Sequence, residues 1–108
     1  MSYITNYELI LEAPISDFNT ILEKETDEFW EGEGISYYLT SKWYDNEIDM
    51  CRISKKYPNI LFTLYGDGEE PDDLWVKYWL NGKYQFSGAH ITYDKFNKNK
   101  LRNFTFNE

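Results

Sequence analysis

Hydrophobic and polar positions along this chain switch between a period of two and a period near 3.6, and the switches divide it into successive elements. Residues Tyr3 to Ala13 alternate as a strand, with Ile4, Leu9 and Leu11 as candidate inward positions. Pro14 stops it, because proline cannot donate to a ladder. Ser16 is the expected N-cap of a helix, and Asp17 suits its positive end. Phe18, Ile21, Leu22 and Phe29 then form one apolar stripe. Gly32 and Gly34 are read as the end of that helix. Ile35 to Trp43 returns to a period of two, with Ile35, Tyr37, Leu39, Ser41 and Trp43 on one side. A second helix is predicted from Asn46 to about Lys56, capped by Asn46, with Glu47 and Asp49 in its first turn and Lys55 and Lys56 in its last. Met50, Ile53 and Tyr57 supply its buried stripe, and Pro58 closes it.

Asn59 to Tyr65 reads as a short apolar strand of a sheet centre. A loop follows from Gly66 to Asp73. Leu74 to Leu80 and Lys83 to Tyr93 flank Asn81-Gly82, a hairpin signal because a type I′ turn needs positive φ at both central residues. Gly88 is a candidate bulge. Residues 94–108 turn polar and basic, with Phe96, Leu101, Phe104 and Phe106 interspersed, and are read as an edge element or an arm. The order strand, helix, strand, helix, strand, strand, strand predicts one α+β domain over residues 1–108. In it, two helices pack on one face of a mostly antiparallel sheet of about five strands.

Composition narrows the function. Nineteen acidic residues stand against eleven basic ones in 108, for a formal net charge of -8, beside ten Tyr, seven Phe and four Trp. So many aromatics build a core, which separates the chain from acidic disordered tails. The negative balance repels nucleic acid and attracts basic surfaces, so a protein with a basic surface is the expected partner, with no direct nucleic-acid or membrane binding. Cys51 is the only cysteine, which rules out an internal disulfide. Met1 leads into polar Ser2 and Asn6 without an apolar signal region, and no apolar run is long enough to span a bilayer. The expectation is therefore a soluble cytoplasmic protein.

The stretches Lys42-Trp43-Tyr44-Asp45, Ile53 to Phe62, Gly66 to Glu70, Asp73-Leu74-Trp75 and Tyr78 to Lys83 together resemble a recurrent block in small accessory proteins of phages and integrated genomic islands. The resemblance covers roughly residues 40 to 86. It implies a ferredoxin-like sandwich and a mobile-element setting, in which small acidic proteins that block host defence, anti-CRISPR proteins among them, are common.

Two acidic clusters carry the candidate chemistry. Glu23, Glu25, Asp27, Glu28, Glu31 and Glu33, with Lys24 the one basic residue among them, fall on the first helix and its exit, spread over roughly 15 Å at ~1.5 Å per residue. Duplex DNA carries about one charge per 1.7 Å of axis, so such a row competes for Lys/Arg-lined channels. The more ordinary reading is a solvated helix face. Asp67, Glu69, Glu70, Asp72 and Asp73 form the second cluster. Their density suits a hard cation, but the spacing departs from known calcium loops and Pro71 interrupts it. A solvated connecting loop or a charged contact patch fits better, and no metal or cofactor is expected.

His90, placed on the last strand, and Cys51 are the sole candidates for a nucleophile-base pair, and Cys51 reads better as a small buried thiol. Paired-carboxylate hydrolysis lacks a second layer in which to form a cleft. Aromatic stacking of single-stranded bases is opposed by the acidic balance. Trp75, Lys77 and Trp79 are expected on one exposed strand face, as interface anchors. The function that follows is a non-enzymatic acidic protein that binds and inhibits a basic nucleic-acid-handling host protein by nucleic-acid mimicry. The alternatives are a small cation- or ligand-binding domain using residues 67–73, and a homo-oligomer, such as a homodimer, joined through the uncovered sheet face or the tail.

Overall fold

A computed structural model of the chain describes residues 3–104 and holds six strands, the longer ones built on alternation of apolar or aromatic residues with polar ones. They run β1 (Thr5–Leu11), α1 (Phe18–Thr26), β2 (Glu31–Glu33), β3 (Ser36–Ser41), α2 (Asn46–Lys56), β4 (Phe62–Asp67), β5 (Leu74–Leu80) and β6 (Lys83–Gly88), with a 3₁₀ turn at Lys98–Lys100. The strands form one sheet in the order β2-β3-β1-β4-β5-β6, and every neighbouring pair is antiparallel. Two crossovers interleave: α1 carries the chain from β1 past β3 to β2, and α2 carries it from β3 past β1 to β4. The result is an α+β fold with helices against an antiparallel sheet of six strands rather than about five.

The extra strand is β2. Helix α1 stops at Thr26, where Asp27 adopts the left-handed conformation (φ 56°) and donates its N–H to the Glu23 carbonyl. Trp30 then turns inward, its indole edge-on to Trp43 at 5.2 Å. Gly32 and Gly34 therefore serve a β2–β3 hairpin and not a helix end. Gly32 has φ +143° and lies so close to β3 that a Cβ would come within 2.1 Å of the Ser36 carbonyl oxygen. Phe29, expected on the buried stripe of α1, falls beyond the helix and is 88% exposed.

One face of the sheet and one face of each helix make the core. Leu9 and Leu11 of β1, Phe18 and Leu22 of α1, Met50 and Ile53 of α2, and Phe62, Leu64 and Trp79 of the sheet are buried together. Thr5 and Tyr7, not Ile4, hold the remaining inward places on β1, because Ile4 has the opposite parity. Neither expected helix cap forms. Asp17 occupies the N-cap of α1 with no side-chain cap bond, and Asp45 precedes α2, whose first residue Asn46 is buried instead. Asn81 and Gly82 have φ values of 49° and 79°, the positive pair that the hairpin turn requires.

β6 ends at Gly88, which pairs in register with Trp75 and is not bulged, so the strand does not reach Tyr93. Residues 89–104 form an arm with no strand and with every residue exposed. The chain's radius of gyration is 18.2 Å, against about 13 Å for a compact domain of this length. Of the tail, 105–108, including Phe106, lies outside the described residues, as do Met1 and Ser2. Among the described residues, no helix is long and apolar enough to cross a membrane.

Candidate interaction face

Because both helices lie on the face that carries Leu9, Tyr37, Leu64 and Trp79, the alternate residues of all six strands share the uncovered face. The register aligns them in rows. One row runs Glu31, Tyr38, Glu8, Tyr65, Val76, Ser87 from β2 to β6, and the next runs Glu33, Ser36, Ile10, Thr63, Tyr78, Gln85. Carboxylates and phenols thus alternate across the sheet. Glu31 and Glu8 stand two strands apart, about 9–10 Å at ~4.8 Å per strand. Tyr38 is 51% and Tyr65 44% exposed. Glu8, Glu31, Glu33 and Asp67 make no ion pair among the described residues. Between β1, β4 and β5 the face is hollowed into a groove of about 470 Å³, lined among others by Tyr65, Leu74, Val76, Glu8 and Asp67.

The structure divides the expected contact residues. Glu25 is withdrawn from solvent. Its carboxylate accepts from Arg52 Nε at 2.7 Å and from Lys56 Nζ at 2.6 Å, clamping α1 to α2. Those two cations hold its pKa down, from the ordinary 4.5 to about 2, Lys56 contributing most. Glu28 accepts a hydrogen bond from the Ser41 hydroxyl. Glu23 and Asp27 are exposed beside α1, whereas Glu31 and Glu33 belong to the open sheet face. The six residues thus do not form one helical row.

The loop cluster divides in the same way. Asp73 Oδ2 accepts from the Tyr3 hydroxyl at 2.5 Å, and this bond to a carboxylate raises the phenol's pKa. Glu69 Oε1 accepts from the Ile4 N–H at 2.9 Å, so these two acids brace the start of β1. Glu70 and Asp72 point to solvent, and Asp67 lies on the open sheet face. Among the described residues, no three carboxylate, imidazole or thiol groups gather as a cation site would require.

The expected tryptophan face is reversed. Trp79 is fully buried, with its ring stacked on Tyr84 at 6.1 Å. Lys77 is 8% exposed: its Nζ donates to Asn46 Oδ1 at 2.8 Å, pairs with Glu47 at 3.0 Å and sits 4.5 Å over the Trp75 ring. Trp75 is half-buried over Gly66. All three face the helices, because β5 buries its odd-numbered residues there. The outward set is Leu74, Val76, Tyr78 and Leu80. His90 lies beyond β6 in the exposed arm, and Cys51 is half-buried on α2, with no hydrogen bond between them.

Sequence reasoning did not single out Glu8, Tyr38 and Tyr65 as residues of the open sheet face. The signal was present: each has the parity opposite to a buried neighbour on its own strand. No known family model, curated protein or solved structure matches the chain.

Proposed function

We propose that this chain is a non-enzymatic binding module that docks the carboxylate-and-tyrosine face of its sheet on a Lys/Arg-rich protein surface. The single observation that carries the reading is the aligned Glu31–Tyr38–Glu8–Tyr65 row, exposed except for the half-buried Glu8 and free of ion pairs among the described residues. Carboxylates set the sign of the partner and speed encounter, while phenol rings supply apolar contact with a polar tip. The natural target of such a row is a surface built for phosphates. The proposed role is therefore to occupy the nucleic-acid channel of a host protein, a role that suits the mobile-element setting in which small acidic blockers of host defence are common.

We also take the β1–α1–β2–β3–α2–β4 unit as a ferredoxin-like sandwich extended by the β5–β6 hairpin. The strand order β2-β3-β1-β4 with two interleaved crossovers supports that assignment. The function is tested with a basic DNA-binding protein holding a fluorescent duplex. The intact chain is expected to displace the duplex, less so as salt rises, and Glu31→Lys with Glu33→Lys is expected to abolish displacement. Displacement that ignores both salt and these reversals counts against the reading.

A further inference from the structure

Charge is divided unevenly along the chain. Residues 1–88 hold seventeen acidic and seven basic groups, a formal -10, whereas residues 89–108 hold two acidic and four basic groups, a formal +2. The described part of this basic arm also carries large apolar side chains in the open: Tyr93 is 88%, Phe96 80% and Leu101 66% exposed. Apolar groups that alternate with Lys95, Lys98 and Arg102 are unlike a solvating tail, which avoids aromatic residues. Within the arm, the Lys100–Asp94 ion pair at 3.0 Å and the Asn97-capped 3₁₀ turn give it a local shape.

The groove on the open face has the complementary character. Its lining combines apolar side chains (Tyr65, Leu74, Val76) with the carboxylates of Glu8 and Asp67, and its volume of about 470 Å³ lies within the roughly 300–1,000 Å³ of sites that bury a ligand of several rings. The arm begins here: Ala89 lines the groove, and its N–H donates to the Leu74 carbonyl at 2.9 Å before the chain departs. An arm that leaves from the edge of a matching groove suits exchange about a twofold axis, since each copy then offers both halves of the same contact. Extended, the fourteen residues Ala89 to Arg102 reach up to about 45 Å, more than the 35 Å breadth of the molecule.

We propose that the groove between β1, β4 and β5 is the seat of the C-terminal arm of a second copy, with Phe96 and Tyr93 entering it and Lys95, Lys98 and Arg102 meeting Glu8 and Asp67, so that two chains exchange arms. The inference stands on the groove and the arm and goes beyond the proposed partner; because Glu8, Tyr38 and Tyr65 belong to both the groove and the docking row, arm exchange and partner docking compete for that half of the face.

Charge-swapped full-length chains test it by sedimentation equilibrium. The unaltered chain is expected to dimerise, less tightly in high salt. An arm variant (Lys95→Glu, Lys98→Glu, Arg102→Glu) and a groove variant (Glu8→Lys, Asp67→Lys) are each expected to weaken the dimer at least about tenfold. Mixing the two variants restores a dimer, because each arm then meets a groove of opposite sign. Circular dichroism confirms that each variant keeps its fold. A monomeric unaltered chain, which includes the case of an arm folded onto its own groove, overturns the proposal. So does a dimer that both variants leave intact, or variants that stay monomeric when mixed. Duplex displacement is read in the arm variant, whose substitutions lie outside the Glu31–Tyr38–Glu8–Tyr65 row: displacement that survives there leaves the proposed function standing whatever becomes of the dimer, so the two ideas fail separately.

Discussion

Replacing Glu25 by Gln removes the charge that joins the two helices while keeping the side chain's size. The carboxylate is 11% exposed, and its partners Arg52 and Lys56 are 46% and 50% exposed. The drop in its pKa from 4.5 to about 2 would be worth about 3.4 kcal/mol without screening. With both cations half in water, about 1–2 kcal/mol remains. The pH dependence follows from the direction of the shift. Above pH 4.5 the carboxylate is ionised in both folded and unfolded chains, and the stabilisation is whole. Between pH 4.5 and 2 the unfolded chain takes up its proton first, so the advantage shrinks, and below pH 2 it is gone. Urea melts of the two proteins are therefore expected to differ by about 1–2 kcal/mol at pH 7 and to converge towards pH 2. A difference that stays constant across that range, or is absent at pH 7, refutes the clamp. Glu25→Gln is also expected to leave duplex displacement unchanged, since the group is spent inside the fold.

Gly66→Ala places a Cβ within 2.2 Å of two Trp75 ring carbons, and the ring is held by Tyr7 and Lys77. A loss of about 1–3 kcal/mol is expected in denaturant melts, and a neutral result would show that the indole is free to move. Ser54→Ala takes the acceptor from the Gly82 N–H, which donates to the Ser54 hydroxyl at 2.8 Å and so ties the β5–β6 turn to α2. Stability is expected to fall by about 1–2 kcal/mol, with faster amide exchange at Gly82, and unchanged exchange there would contradict the tie.

Local signals carried much of this fold. Asn46 to Lys56 and Leu74 to Leu80 were legible to the residue, because charged helix ends and the Asn81-Gly82 turn are fixed by nearest neighbours. β2 was not legible. Three residues, two of them Glu, have no strand signature of their own, and Trp30 packing on Trp43 is a tertiary cause. The contact residues were legible only in part for the same reason. Acidity could be read, but Glu25 finds Lys56 and Arg52 thirty-one and twenty-seven positions away. The inward direction of Trp75, Lys77 and Trp79 was not legible, because the partners that hold Lys77 inside, Asn46 and Glu47, lie about thirty positions away.

Mapping amide shifts as the ¹⁵N-labelled chain is titrated with a Lys/Arg-rich peptide reaches the central claim most directly. Saturable shifts concentrated at Glu8, Glu31, Glu33, Tyr38 and Tyr65, with α1 and α2 quiet, are the predicted result. Shifts centred on the helix layer or on Glu70 and Asp72, or a diffuse change over all acidic residues alike, would contradict it.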